Sequence, residues 1–117
     1  MAQNAMFIGW DRPVRGRESA AIETFQGFMS YLKSQQDRGA LESFEPLLLA
    51  AHGGDLNGFV VVRGTEGQLD KLRAEEKFTE LVTRAVFNVD RFGVSSGWRG
   101  EELSKQMQRY GKIASGG

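Results

Sequence analysis

The chain has 117 residues, with 15 basic and 15 acidic side chains, 40% hydrophobic residues and no cysteine. This length is typical of one domain, expected over residues 1–117, and the zero net charge argues against general binding to nucleic acid or anionic membranes. Without cysteine there can be no disulfide, thiolate metal ligand or cysteine nucleophile. Because no window approaches the roughly 20 apolar residues of a membrane span and the N-terminus has no signal-peptide pattern, a cytoplasmic location is expected.

The first half of the chain predicts a strand, a long helix and a hairpin. Alternating side chains predict a strand over residues 5–11, and apolar residues at three- and four-residue spacing predict a helix over about 18–38. Two further apolar runs, over residues 40–51 and 57–64, predict strands. The glycine-rich connector between them, residues 52–56, favours a hairpin.

The second half predicts another helical region, a strand and a short helix. Apolar groups over residues 66–85 are separated by the charged segment Glu75–Lys77, so a break is expected there. A fourth strand is expected over Val86–Val94, with a bulge at Asp90–Arg91 because the apolar residues change parity at that point. A C-terminal helix is expected over about residues 101–110.

This order predicts an α+β fold of the ferredoxin-like βαββαβ type: a four-stranded antiparallel sheet with both helices on one face, plus the C-terminal helix. Strands two and three are apolar on both faces, around Leu47–Leu48 and Val60–Val61. Two helices cover only one face, so a sheet-to-sheet homodimer is expected, with the C-terminal helix as extra cover. The alternative is that the C-terminal helix alone covers this face within a monomer.

Several segments together resemble the dimeric α/β barrel superfamily, over about residues 5–95. These are the helix Ile22–Leu32, the paired segments Pro46–Ala51 and Gly58–Arg63, the split helix Gln68–Arg73 and Glu76–Ala85, and the strand Phe87–Val94. Members of that superfamily include small monooxygenases, haem-handling and dye-decolourising enzymes, isomerases and many small bacterial proteins without known activity, which this chain resembles most in texture. The resemblance implies the fold and the dimer, but no family motif aligns, so it assigns no catalytic residue.

His52 is the candidate proton-transfer residue, because it is the one side chain whose unperturbed pKa lies near physiological pH. Asp55 is close to it in sequence, and Asp90 at a strand end is the candidate supporting carboxylate. The alternative is that His52 is a turn residue at the surface. No ligand spacing favours a metal site, and no tightly bound cofactor is expected.

Arg12 and Arg15 are candidate ligand-binding residues in an arginine-rich loop before the first helix. Guanidinium groups bind carboxylate or phosphate in a bidentate manner, so this loop favours a small anionic ligand. The alternative is a solvated charged loop, paired with Glu18 or Glu23.

Trp10, Phe59 and Trp98 are candidates for the lining of an apolar small-molecule pocket. Core packing explains Trp10 and Phe59 equally well, and Trp98, expected in a loop, is also suited to sealing an interface. The sequence therefore predicts a protein that binds or transforms a small apolar or anionic compound in a barrel pocket, without a tightly bound cofactor, and leaves open whether it is an enzyme. The alternative is a non-catalytic dimerisation or regulatory module with Trp98 and the C-terminal helix at its interface.

Overall fold

Two strand–helix–strand units follow one another along the chain, as the sequence predicts. The computed structural model describes residues 3–116, and within this range the elements are β1 (Asn4–Trp10), α1 (Glu18–Asp37), β2 (Ser43–Leu48), β3 (Gly58–Gly64), α2 (Glu66–Ala74), α3 (Glu76–Asn88), β4 (Gly93–Trp98) and α4 (Gly100–Ala114). All strand pairs are antiparallel, and the spatial order is β2-β3-β1-β4. The predicted ferredoxin-like α+β fold is confirmed, with α4 as an additional helix.

The core lies between one face of the sheet and the helices α1, α2 and α3. Alternation along β1 and β3 turns Met6, Ile8, Val60 and Val62 toward these helices, and each is at most 2% exposed. The helices place apolar residues at three- and four-residue spacing against them: Phe28, Leu32, Leu69, Leu72, Phe78 and Leu81. Burial of this face is what holds sheet and helices together.

The second helical region is divided at Glu75, within the segment where the sequence predicts a break. Glu75 has an extended backbone (φ −72°, ψ 139°), so it ends α2 and begins α3. A reciprocal cap between Thr65 and Gln68 fixes the start of α2. The hydroxyl of Tyr31 on α1 donates to the Glu75 carboxylate over 2.7 Å, which ties the break to the neighbouring helix.

The predicted fourth strand over Val86–Val94 is wrong, and so is its bulge. Helix α3 continues to Asn88, because Ala85 and Asn88 extend its buried stripe at helical spacing. A turn at Asp90–Arg91 then leads into β4, and Arg91 has a positive φ of 51°. Strand β4 carries mainly serine and glycine, so its own sequence favours a strand weakly and its pairing with β1 determines its conformation.

Strands β2 and β4 form the two edges of the sheet. The predicted hairpin is confirmed, since β2 pairs with β3 in antiparallel register, although β2 is shorter than the predicted strand over residues 40–51. Pro46 lies in the middle of β2 and pairs with Val60. It has no N–H to donate, which is tolerated in a strand at the edge of a sheet.

The face of the sheet opposite α1, α2 and α3 is uncovered and carries an apolar patch, beside the Glu45–Arg63 ion pair and Ser95 on the same face. Register places Phe7, Leu47, Phe59 and Val61 on this open face. Phe7 stacks on Phe59 with ring centroids 5.3 Å apart, and Phe7 and Leu47 are 38% and 43% exposed. Helix α4 does not cover them, so the alternative of a face closed by the C-terminal helix within one chain is wrong.

Replacement of Tyr31 by phenylalanine removes the hydrogen bond to Glu75 and leaves the buried ring in place. We expect Tyr31→Phe to lower the free energy of unfolding by about 1 kcal/mol at neutral pH. Urea unfolding of the wild type and the variant measures this difference. An unchanged free energy of unfolding would contradict a stabilising role for the bond.

The same bond predicts a pH dependence in the alkaline range. Burial, and then the adjacent Glu75 carboxylate, raise the pKa of Tyr31 well above its ordinary value of about 10. The unfolded chain therefore loses this proton at a pH where the folded protein keeps it, and stability should fall as pH rises above about 10. Urea unfolding across this range should show the additional fall in the wild type but not in Tyr31→Phe.

Candidate functional site

A cavity of about 250 Å³ lies between α1, the end of α3 and the covered face of the sheet. Its walls are mostly apolar. They include Trp10, Ile22, Phe25, Phe28, Val60 and Phe92. This composition is typical of sites that bind small organic molecules.

Small residues on the two helices leave the space that forms the cavity. Ala21 on α1 and Ala85 on α3 both line it, at positions where a larger side chain would fill it. The indole of Trp10 forms a wall and packs edge-on against Phe25, with ring centroids 5.8 Å apart. Gly58 lies under this indole, and a Cβ added there would be 2.7 Å from the ring. The absence of a side chain at Gly58 therefore positions Trp10.

A chain of polar groups forms one wall of the cavity. The Nε of Arg17 donates to Asn88 Oδ1 over 2.8 Å, and Asn88 Nδ2 donates to the Thr24 hydroxyl over 2.9 Å. Thr24 in turn donates to the carbonyl of Ala20. Asn88 is 5% exposed, and both its side-chain oxygen and its side-chain nitrogen are hydrogen-bonded, so its main effect is to join α3 to the start of α1 beside the cavity. Sequence reasoning missed it, although a polar residue on the buried stripe of α3 is the signal that could have found it.

Asn57 is a second polar residue of the lining that sequence reasoning missed. Its backbone is fixed, because its N–H donates to the carbonyl of Trp10 and its carbonyl accepts from the N–H of Leu49. Its side-chain amide makes no hydrogen bond within residues 3–116. An amide of this kind at the wall of an apolar cavity can donate to or accept from a polar atom of a ligand.

The structure separates the three aromatic residues predicted to line a pocket. Trp10 lines the cavity, whereas Phe59 lies on the open face of the sheet. Trp98 is at the end of β4, 49% exposed, and paired with Asn4. One of the three thus belongs to the cavity wall, and the other two lie elsewhere on the sheet.

Arg12 and Arg15 are exposed in the loop between β1 and α1. Neither is part of the cavity wall, although Pro13, which follows Arg12, is. Arg17, at the end of the same loop, is the arginine that reaches the polar wall through Asn88. Their predicted role in binding an anion stays a prediction.

His52 is exposed in the connection between β2 and β3. Its Nε2 donates to the carbonyl of Leu56 over 2.7 Å, and its Nδ1 accepts from the N–H of Gly54 over 3.1 Å. With a carbonyl as one partner and an N–H as the other, the ring is assigned as the neutral tautomer with hydrogen on Nε2. These bonds hold the turn in shape, and the predicted role of His52 in proton transfer stays a prediction.

Asp90 is exposed in the turn after α3, and its backbone joins this turn to the end of β1. Its N–H donates to the carbonyl of Arg12, and its carbonyl accepts from the N–H of Asp11. The neighbouring Arg91 binds the carboxylate of Asp11 over 2.7 Å and that of Asp55 over 3.3 Å. Three loops therefore meet at this end of the sheet, including the one that carries His52.

Residues 3–116 contain no cluster of three or more histidine, cysteine, aspartate or glutamate side chains suited to a metal ion. None of their helices has the length and apolar character needed to cross a membrane.

Comparison with known proteins identifies the fold. No family model matches the chain, and no curated protein matches its sequence. Among solved structures, a dimeric protein of unknown function with a ferredoxin-like fold from Bacteroides fragilis is similar, with a TM-score of 0.59 and 7% identity over 84% of this chain and 99% of that one. A dimeric ferredoxin-like protein of unknown function from Thermobifida fusca has a TM-score of 0.61 and 11% identity, over 84% of this chain and 92% of that one.

An enzyme is also among the similar structures. It is a cofactor-independent oxygenase from Streptomyces nogalater, with a TM-score of 0.55 and 13% identity over 85% of this chain and 95% of the oxygenase. At identities this low, structural similarity establishes a shared fold only. The function has to be argued from the site itself. The resemblance is confirmed for the ferredoxin-like fold, and the pairing of two sheets into a barrel stays a prediction.

The contact between Trp10 and Gly58 can be tested by adding a methyl group. Gly58→Ala should displace the indole and lower the free energy of unfolding by about 1–3 kcal/mol, because the site is already filled. Gly93→Ala is the matched control, since a Cβ there meets nothing within 4 Å. Both are made in a Trp98→Phe background, so that fluorescence reports Trp10 alone. An unshifted emission spectrum in Gly58→Ala would contradict the assigned position of Trp10.

Proposed function

We propose that this protein binds a small, largely apolar organic molecule in the cavity between α1, α3 and the sheet, and that it does so as a homodimer. The cavity itself, about 250 Å³ and lined mostly by apolar side chains, carries the proposal. A cavity of about 150 Å³ accommodates benzene, so this volume suits a compound of one or two rings.

Polar groups at the edge of the cavity suggest what else the ligand carries. The Asn57 amide suits a hydroxyl or carbonyl group inside the cavity. Arg12, next to the lining residue Pro13, and Arg15 suit a carboxylate or other anionic group at the mouth. An aromatic compound with one hydroxyl or carboxylate group therefore fits best.

The open face of the sheet supports the homodimer. Soluble monomers seldom expose a contiguous apolar surface such as that around Phe7, Leu47 and Phe59. A second copy placed face to face would bury it, and two similar structures of this fold are described as dimeric. We therefore propose a sheet-to-sheet arrangement.

Catalysis on the bound compound is a second candidate function. One support is the cofactor-independent oxygenase that shares this fold. The other is that the loop carrying His52 contacts the turn carrying Asp90, because Asp55 in the loop binds Arg91 in the turn over 3.3 Å. In this role His52 would transfer a proton and Asp90 would support it, with no tightly bound cofactor required. The proposed ligand binding does not depend on this catalytic role.

Blocking the cavity tests the proposed ligand site. We expect 2-naphthol and 2-naphthoate to bind the wild type in calorimetric titrations, and Ala21→Leu to weaken both by at least about tenfold because the new side chain occupies the ligand volume. Ala20→Leu makes the same substitution one position away, outside the lining, and should bind like the wild type. Arg12→Ala should weaken 2-naphthoate alone. Equal affinity in Ala21→Leu and Ala20→Leu would contradict the site.

A charge on the open face tests the proposed dimer. We expect sedimentation equilibrium to find a dimer at micromolar concentration for the wild type and a monomer for Phe7→Glu, because the variant would bury an unpaired carboxylate. Gln26→Glu, which adds the same charge on the exposed side of α1, should remain a dimer. A monomeric wild type would overturn the proposal.

A further inference from the structure

Helix α4 (Gly100–Ala114) exposes its apolar side. Leu103, Met107 and Tyr110 recur at helical spacing and, with Ile113, form a stripe whose members are 48–72% exposed. The half-buried residues of α4 are instead the polar Glu102 and Gln106. A helix at the surface of a folded domain normally buries its apolar stripe. This stripe therefore fits a surface that the chain does not provide for itself.

The start of α4 is fixed to the first strand. The N–H of Arg99 donates to the carbonyl of Gln3 over 2.9 Å, and the N–H of Glu101 donates to Gln3 Oε1 over 2.7 Å. Gly100 has a φ of 56°, and a Cβ there would overlap the side chain of Gln3. Gln3 has the same parity as Ala5 and Phe7, so α4 begins on the side of the open sheet face. The helix that carries the apolar stripe thus starts beside the open face.

The areas involved favour a second copy as the occupant. Four strands of six or seven residues present a flat face of about 19 Å by 20 Å, or about 400 Å². A stable interface buries about 800 Å² on each partner. A 15-residue helix adds a strip about 22 Å long and 10 Å wide, or about 200 Å². The sheet face alone is thus small for a stable dimer, and α4 supplies a large part of the difference.

We propose that α4 packs its apolar stripe on a second copy of this chain, beside the sheet-to-sheet contact, and that this contact is required for a tight dimer. The inference rests on the homodimer of the proposed function. In a two-fold symmetric dimer the contact occurs twice, since each copy gives its own α4 and receives that of its partner. Every apolar substitution in the stripe therefore acts at two places in the assembly.

A charge within the stripe tests the proposal against a charge beside it. Met107→Glu should raise the dimer dissociation constant at least about tenfold in sedimentation equilibrium, whereas Gln108→Glu, the adjacent position on the polar side, should leave it unchanged. A monomeric wild type would overturn the homodimer itself. A wild-type dimer that Met107→Glu leaves equally tight would overturn the role of α4 alone.

Cross-linking identifies what the stripe touches. Because the chain has no cysteine, Met107→Cys provides one thiol for a benzophenone maleimide. Irradiation of an equal mixture of unlabelled and ¹⁵N-labelled protein should give covalent dimers of mixed mass. Cross-links confined to single chains would overturn the proposal, because α4 would then fold back on its own domain. A monomer that binds phosphatidylserine vesicles through α4 would overturn it as well, since lipid would then be the occupant.

Discussion

A four-stranded sheet has two faces, and the helices α1, α2 and α3 can cover only one. On the covered face, Met6, Ile8, Val60 and Val62 pack against the helices and form the core. The other face carries an apolar patch, in which Phe7 stacks on Phe59 and is partly exposed to solvent. This asymmetry organises the molecule: the cavity belongs to the covered face, and the surface available for association belongs to the open one.

Elements with a strong local sequence pattern could be predicted from the sequence. Helix α1 has an uninterrupted apolar stripe, and the break at Glu75 follows from charged residues between two apolar groups. Strand β4 could not be located, because serine and glycine carry little local preference and its place is set by pairing with β1. The end of α3 is predicted wrongly for a related reason. Val86 and Phe87 favour a strand locally, whereas the buried Ala85 and Asn88 continue the helix.

The cavity is harder to predict than the fold, because it exists where side chains are small or absent. Ala21 and Ala85 form it through their small size, and Gly58 positions Trp10 by having no side chain. Small residues leave no periodic pattern that distinguishes a cavity from close packing. The hydrogen bonds of His52 likewise depend on the shape of its turn, which the sequence does not specify beyond its glycines.

Pro46 disfavours association through the β2 edge of the sheet. An edge strand with a full row of N–H groups invites other strands to pair with it, and such pairing has no natural end, so it leads to fibres. With Pro46 in β2, an incoming strand finds one donor absent from the middle of a six-residue edge. Sheet extension is therefore weakened on that side while the apolar face stays available, so contact between faces, which closes after two copies, is favoured over open-ended polymerisation.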